Sequence, residues 1–83
     1  MSIERLGLAV WDIIAELSHR GETRLDPDSA QCAELRQAAY VAAGNKGNDR
    51  NLAFTTLEWL QGIASFDAVL AASEAYEKAR IRS

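Results

Sequence analysis

Apolar residues recur at steps of three and four along most of the chain, which is the spacing of amphipathic helices. The densest stretch runs from residue 52 to residue 70. Its predicted buried face consists of Leu52, Thr56, Leu57, Leu60, Ile63 and Ala64. The sequence has no run of alternating β-branched residues of the kind that forms strands. The pattern therefore predicts an all-α protein whose other helices pack on this central stretch.

The first half of the chain contains two predicted helices. The first spans about residues 3–20 and ends at Gly21, because glycine suits the left-handed position after a helix. Its main apolar stripe consists of Ile3, Leu6, Val10, Ile13 and Leu17. The second spans about residues 27–43, where Asp26 is expected to cap the helix and Pro27 to occupy its first position.

A turn rich in glycine and asparagine follows the second helix and predicts a reversal between antiparallel helices. The third helix then spans about residues 49–64, with Asn48 or Asp49 as its N-cap. Ser65 is a candidate N-cap for a fourth helix over about residues 66–80. A single bent helix over both segments is the alternative.

The small size of the chain limits its core. Its 83 residues form one predicted domain, residues 1–83, and a core of this size supplies only about 3–5 kcal/mol without further devices. One cysteine excludes an internal disulfide, and one histidine excludes a Cys and His metal cluster. Because association adds buried area, we expect a compact bundle of three or four helices that forms a homodimer.

The charge and hydropathy of the chain restrict its partners. A net charge of −3 argues against general nucleic-acid binding, which needs a basic surface. No apolar run approaches the roughly 20 residues that span a membrane, so no membrane partner is expected. A lone cysteine agrees with a reducing compartment. The sequence therefore predicts a cytoplasmic protein, in the host cytoplasm if a phage encodes it.

The residues that carry chemistry are isolated in the sequence. His19 and Cys32 stand apart from other metal ligands, and neither lies beside a partner that would make a nucleophile and base pair. Asp12 and Glu16 share a helix face and are interpreted as solvated surface charges. We therefore expect no enzyme activity, no cofactor and no metal, and assign no catalytic residue.

Elimination leaves binding to another protein. The candidate contact residues are Leu8, Trp11, Ala15, Tyr40, Val41 and Trp59. Leu8, Trp11 and Ala15 form a second apolar strip on the first helix, rotated away from the main stripe. Trp11 either covers the edge of the core or contacts a partner, since exposed aromatic residues tend to mark interfaces. Trp59 flanks the central stripe, which favours a core position over a contact.

The second half of the chain resembles a known group of proteins. Residues 57–60 (Leu-Glu-Trp-Leu), then Ala64, then residues 67–71 (Asp-Ala-Val-Leu-Ala) are similar to the C-terminal helices of small phage-encoded host-takeover proteins. This resemblance implies a compact, dimeric helical protein that inhibits a host quorum-sensing regulator or a pilus-assembly ATPase. It covers about a quarter of the chain and requires a small gap near Ser65.

Three functional hypotheses follow. The first is a protein-binding inhibitor or adaptor that occupies a surface on a host or partner protein. The second is a structural subunit of a larger assembly, such as a virion or a secretion component. The third is a helical DNA-binding regulator, although the third helix offers Asn51, Thr55 and Glu58 where basic and amide side chains would be expected to read bases.

Overall fold

The computed structural model describes the backbone of residues 2–82 and the side chains of residues 5–81. Helices are the only regular secondary structure in this part of the chain, so the predicted all-α class is confirmed. The helices are Ser2–Arg20 (α1), Ala30–Ala42 (α2), Asn48–Leu60 (α3) and Phe66–Arg82 (α4). Each helix packs against the next one along the chain, and α1 also contacts α3 and α4.

The core lies between the inward faces of all four helices that the structure describes. The predicted stripe of α1 is confirmed at Leu6, Val10, Ile13 and Leu17, which are all buried; the side chain of Ile3 lies outside the described residues. The other helices add Leu35, Ala38, Ala39, Ala42, Leu52, Ala53, Leu57, Trp59, Val69, Ala72 and Tyr76. The small residues on α2 allow close helix approach but bury little area each.

The end of α1 follows the predicted glycine signal. Gly21 has a φ of 69°, a conformation that costs glycine little and other residues more. Its N–H donates to the Ser18 carbonyl at 3.2 Å, and the Glu22 N–H donates to the Leu17 carbonyl at 2.8 Å. This pair of hydrogen bonds is a Schellman motif, which satisfies carbonyl groups that the helix end leaves free.

The predicted start of α2 at Pro27 is wrong, because the helix begins at Ala30. Asp26 forms a turn instead of a cap: its carboxylate accepts a hydrogen bond from the Asp28 N–H at 3.0 Å. Ser29 is the N-cap, and its hydroxyl accepts a hydrogen bond from the Cys32 N–H at 3.1 Å. A turn before a serine cap therefore replaces the extra helical turn predicted for residues 27–29.

Both predicted ends of α3 are corrected by glycine geometry. Neither Asn48 nor Asp49 caps the helix, because Gly47 occupies the N-cap position with a φ of 66° and makes no side-chain cap bond. At the other end, Gly62 has a φ of 82°, and α3 stops at Leu60 instead of residue 64. Ile63, predicted to lie on the buried face, is consequently 71% exposed.

The predicted separation of α3 from α4 is confirmed, and the single bent helix is wrong. The Ile63 N–H donates to the Glu58 carbonyl at 2.8 Å, which closes a second Schellman motif around Gly62. Ser65 then caps α4 as predicted, because its hydroxyl accepts a hydrogen bond from the Ala68 N–H at 3.2 Å. The Schellman motif and the Ser65 cap stabilise the short turn between the helices and set the direction of α4.

Candidate protein-interaction surface

The second apolar strip of α1 faces outward. Leu8, Trp11 and Ala15 are all exposed, and 57% of the Trp11 residue surface remains accessible. Positions 8, 11 and 15 are separated by three and four residues and therefore share one face of α1. This face lies on the side of the helix opposite the buried stripe. Exposure is therefore a consequence of the helix register, while the role of these residues in binding remains a prediction.

An open groove runs between this strip and the second half of α4. The groove has a volume of about 500 Å³ and is lined by Gly7, Leu8, Trp11, Glu74, Glu77, Lys78, Arg80 and Ile81. Ile81 is 79% exposed and extends the apolar surface from α1 to α4. Three large apolar side chains from two helices, Leu8, Trp11 and Ile81, thus border one concave surface.

A glycine that lines the groove contacts a buried aromatic ring of α4. A Cβ atom at position 7 would lie 2.7 Å from Tyr76 Cε2, which is far inside van der Waals contact. Tyr76 is buried, so its ring has little room to move away. Gly7 is therefore required for α1 and α4 to meet here, and Leu8 and Trp11 lie next along α1 from this contact.

The charges around the groove are only partly paired. Arg80 Nη2 lies 3.1 Å from Glu77 Oε1 and forms an ion pair within α4. Glu74 and Lys78 are both exposed and take part in no salt bridge with another described residue. One carboxylate and one ammonium group on α4 are thus available to an approaching molecule.

A second exposed apolar surface lies on the outer side of the α2–α3 hairpin. Tyr40 and Val41 are more than half exposed, as the register of α2 requires. Phe54 of α3 is also exposed, and the Arg50 guanidinium carbon lies 5.5 Å from the centre of its ring. Phe54 was not among the predicted contact residues.

Trp59 is a core residue, as its position beside the central stripe favoured, and it is therefore removed from the candidate contact residues. Only 2% of its surface is accessible, and its Nε1–H donates to the Thr23 carbonyl at 3.0 Å. Arg24 Nη1 donates in return to the Trp59 carbonyl at 3.0 Å, and the Phe66 ring lies 5.8 Å away, centre to centre. The loop between α1 and α2 therefore covers Trp59 and fixes it in the core.

The residues considered for chemistry remain apart in the fold. His19 is exposed at the end of α1, whereas Cys32 is buried on α2, where its sulfur lies 3.5 Å from Arg36 Nη2. Among the described residues, no three His, Cys, Asp or Glu side chains come together in a way that could hold a metal ion. Over the same residues, no helix is both long enough and apolar enough to cross a membrane.

Sequence reasoning missed Ile81, which lies just beyond residue 80, where the fourth helix was predicted to end, and inside α4 as observed. The signal that would have found it is its spacing: position 81 follows Lys78 by three and Glu74 by seven residues, so all three share a helical face. No family model, curated protein or solved structure matches the chain. The groove is therefore interpreted from its own geometry and chemistry.

Proposed function

We propose that this chain is a non-enzymatic protein-binding module, an inhibitor or adaptor that acts by occupying a surface on another protein. The observation that carries the proposal is the groove bordered by Leu8, Trp11 and Ile81. Large apolar side chains that gather at one concave, exposed surface are typical of protein interfaces, whereas single exposed apolar residues are ordinary.

The shape and charge of the groove specify the chemistry of its occupant. A cleft between two helices accepts an amphipathic helix whose apolar side chains lie along one face. Glu74 and Lys78, which have no ion-pair partner among the described residues, favour an occupant with one basic and one acidic side chain beside that face. The proposed occupant is therefore an amphipathic helix of another polypeptide chain, with charges of both signs.

Trp11 is the proposed anchor of this contact. A tryptophan side chain buries about 150–250 Å² in an interface, and 57% of Trp11 is still available for burial. At about 25 cal/mol per Å², covering that remainder contributes about 2–4 kcal/mol. This is the range of an interface hot spot, so the loss of Trp11 is expected to weaken binding strongly.

The biological setting is proposed from the sequence. The lone Cys32 supports a cytoplasmic location, because a protein without a disulfide needs no oxidising compartment. The resemblance to phage host-takeover proteins supports inhibition of a host protein as the effect of binding. An adaptor that joins two proteins is the alternative, and the exposed Tyr40 and Val41 on α2 offer a second surface for it.

Photo-crosslinking from inside the groove tests the proposal. A photo-reactive amino acid in place of Leu8 should yield a covalent adduct with another polypeptide chain in cells that produce the full-length protein. The same amino acid in place of Asp28, an exposed residue of the turn before α2, serves as the matched control. Mass spectrometry of the adduct identifies the polypeptide and the position of its crosslinked residue.

The adduct should depend on the proposed anchor. Adding Trp11→Ala to the Leu8 crosslinking variant should reduce adduct formation at least about tenfold, whereas adding Tyr40→Ala should leave it unchanged. Circular dichroism must show that both variants remain helical. Equal adduct formation from positions 8 and 28, or an adduct that persists after Trp11→Ala, would contradict the proposed function.

A further inference from the structure

Positive charge is concentrated on the hairpin that α2 and α3 form. The chain as a whole has a net charge of −3. Between Glu34 and Glu58, however, it contains one acidic side chain and three basic ones, which are Asp49, Arg36, Lys46 and Arg50. The three basic residues are exposed, and none forms a salt bridge with another described residue. Their charges are therefore available to an anionic partner.

The packing of the bundle turns Tyr40 and Arg50 to the same side of the hairpin. Tyr40 lies nine residues after Gln31, about two and a half helical turns, so it projects away from the side of α2 where Gln31 hydrogen-bonds to α1. Arg50 lies nine residues before Trp59, so it projects away from the side of α3 where the Trp59 ring packs against α4. Because α2 and α3 pack together between α1 and α4, both residues face outward on the hairpin.

Arg50 is positioned in advance to bind a carboxylate. Its guanidinium carbon lies 5.5 Å from the centre of the Phe54 ring, which is within the range of a cation–π contact. A guanidinium held over a ring has already lost some of its side-chain freedom, so less is lost when a partner binds. The edge of the group carries N–H donors in a planar fork that fits both oxygens of a carboxylate.

The neighbouring side chains supply apolar area and a second guanidinium. Tyr40 is 58% exposed and Phe54 is 45% exposed, so a partner can still cover a large part of both rings. Arg36 lies one turn before Tyr40 on α2, and its Nη2 lies 3.5 Å from the Cys32 sulfur. Sulfur is a weak acceptor, and a guanidinium has five N–H donors, so most of the donors of Arg36 are free to bind a partner.

From this arrangement we propose that Arg36, Tyr40, Arg50 and Phe54, here called the hairpin surface, bind an acidic segment of a partner protein. Carboxylates of the segment pair with the two guanidinium groups, and an apolar side chain between them covers the two rings. Charge complementarity selects this occupant, because a positive surface on an acidic chain attracts acidic partners and repels basic ones. The hairpin surface is separate from the groove between α1 and α4, so the inference does not rest on the proposed function.

Single-stranded nucleic acid is the other anion that basic and aromatic side chains bind together. Bases stack on open ring faces, and the Arg50 guanidinium already covers one face of Phe54. A long polyanion would also extend beyond the hairpin over a chain whose net charge is −3, which opposes its binding. These two observations favour an acidic polypeptide.

Selection from a random peptide library displayed on phage tests the predicted chemistry. The library is first depleted on the double variant Arg36→Gln with Arg50→Gln, which removes peptides that bind elsewhere, and is then selected on the natural chain. The enriched peptides should contain more Asp and Glu than the starting library, together with an aromatic or aliphatic residue. No enrichment, or enriched peptides without an acidic excess, would overturn the proposal.

Fluorescence anisotropy with one labelled peptide from that selection tests the residues. Arg36→Gln and Arg50→Gln should each raise the Kd at least about fivefold, and Tyr40→Ala should raise it by a similar factor. Arg5→Gln, at an exposed position of α1, removes the same charge and should leave the Kd unchanged. Glu58→Gln removes the carboxylate one turn after Phe54 and should lower the Kd about twofold. Circular dichroism checks that each variant remains helical.

Three results would overturn the assignment of the acidic segment to the hairpin surface. Arg5→Gln could weaken binding as much as Arg50→Gln, which would mean that only the net charge matters. A labelled oligothymidylate could bind more tightly than the peptide and displace it, which would assign the surface to nucleic acid. Trp11→Ala could abolish peptide binding, which would place the peptide in the groove. None of these results would change the Leu8 crosslinking test of the proposed function.

Discussion

The two tryptophans of this chain lie on amphipathic helices and have opposite fates. Trp59 is buried and hydrogen-bonded to the loop between α1 and α2, whereas Trp11 is more than half exposed beside a groove. Part of the difference comes from helix register, since Trp11 lies away from the buried stripe of α1 whereas Trp59 flanks the buried stripe of α3. The rest comes from what the chain supplies to cover each ring: a loop and Phe66 at Trp59, and an open groove at Trp11.

The largest contrast is expected when each tryptophan is replaced by alanine. Trp59→Ala should lower the free energy of unfolding by about 3–5 kcal/mol, because it removes a large side chain from the core. Trp11→Ala should lower it by about 1–2 kcal/mol, because roughly half of the side chain is already in water. Urea denaturation of both variants in dilute solution measures the difference. Equal losses would show that the two environments are energetically alike.

The contact between Gly7 of α1 and Tyr76 of α4 gives the next largest expected change in the free energy of unfolding. Gly7→Ala should lower the free energy of unfolding by about 1–2 kcal/mol, because overpacking against the buried Tyr76 ring outweighs the better helix propensity of alanine. Gly44→Ala is the control, because its nearest neighbour is the Val41 carbonyl oxygen at 4.0 Å. A Gly7→Ala protein as stable as Gly44→Ala would mean that α1 and α4 do not meet through this contact.

The smallest expected change in the free energy of unfolding concerns a polar residue of the core. Thr56 is fully buried, and its hydroxyl has no hydrogen-bond partner among the residues that the structure describes. Thr56→Val should therefore raise the free energy of unfolding by about 1 kcal/mol, since an unsatisfied polar group is replaced by a methyl group. The neighbouring change Thr55→Val, at a half-buried position of the same helix, should have little effect. A destabilised Thr56→Val protein would indicate a hydrogen bond that the structure does not show.

Helical periodicity predicted three or four helices in the observed order because their apolar stripes are regular. The stripe of α1 and the cap at Ser65 were found in this way, whereas the start of α2 was misplaced. Three residues near that start can cap a helix, and only the hydrogen bonds of Asp26 and Ser29 decide between them. Ile63 continued the period of α3, but the positive φ of Gly62 turns the chain before that residue.

The candidate site was only partly predictable for a different reason. The outward strip of Leu8 and Trp11 is a property of one helix, and its register is readable from the sequence. The burial of Trp59 depends on a loop some 35 residues away, and the groove depends on two helices from opposite ends of the chain. Local patterns contain neither relation. Trp59 therefore stayed among the candidate contact residues, although a core position was favoured for it, and Ile81 was missed.

Acrylamide quenching of tryptophan fluorescence in dilute solution tests the central claim most directly. The chain should show one accessible and one protected tryptophan, in keeping with the exposure of Trp11 and the burial of Trp59. Two equally accessible or two equally protected tryptophans would contradict the account.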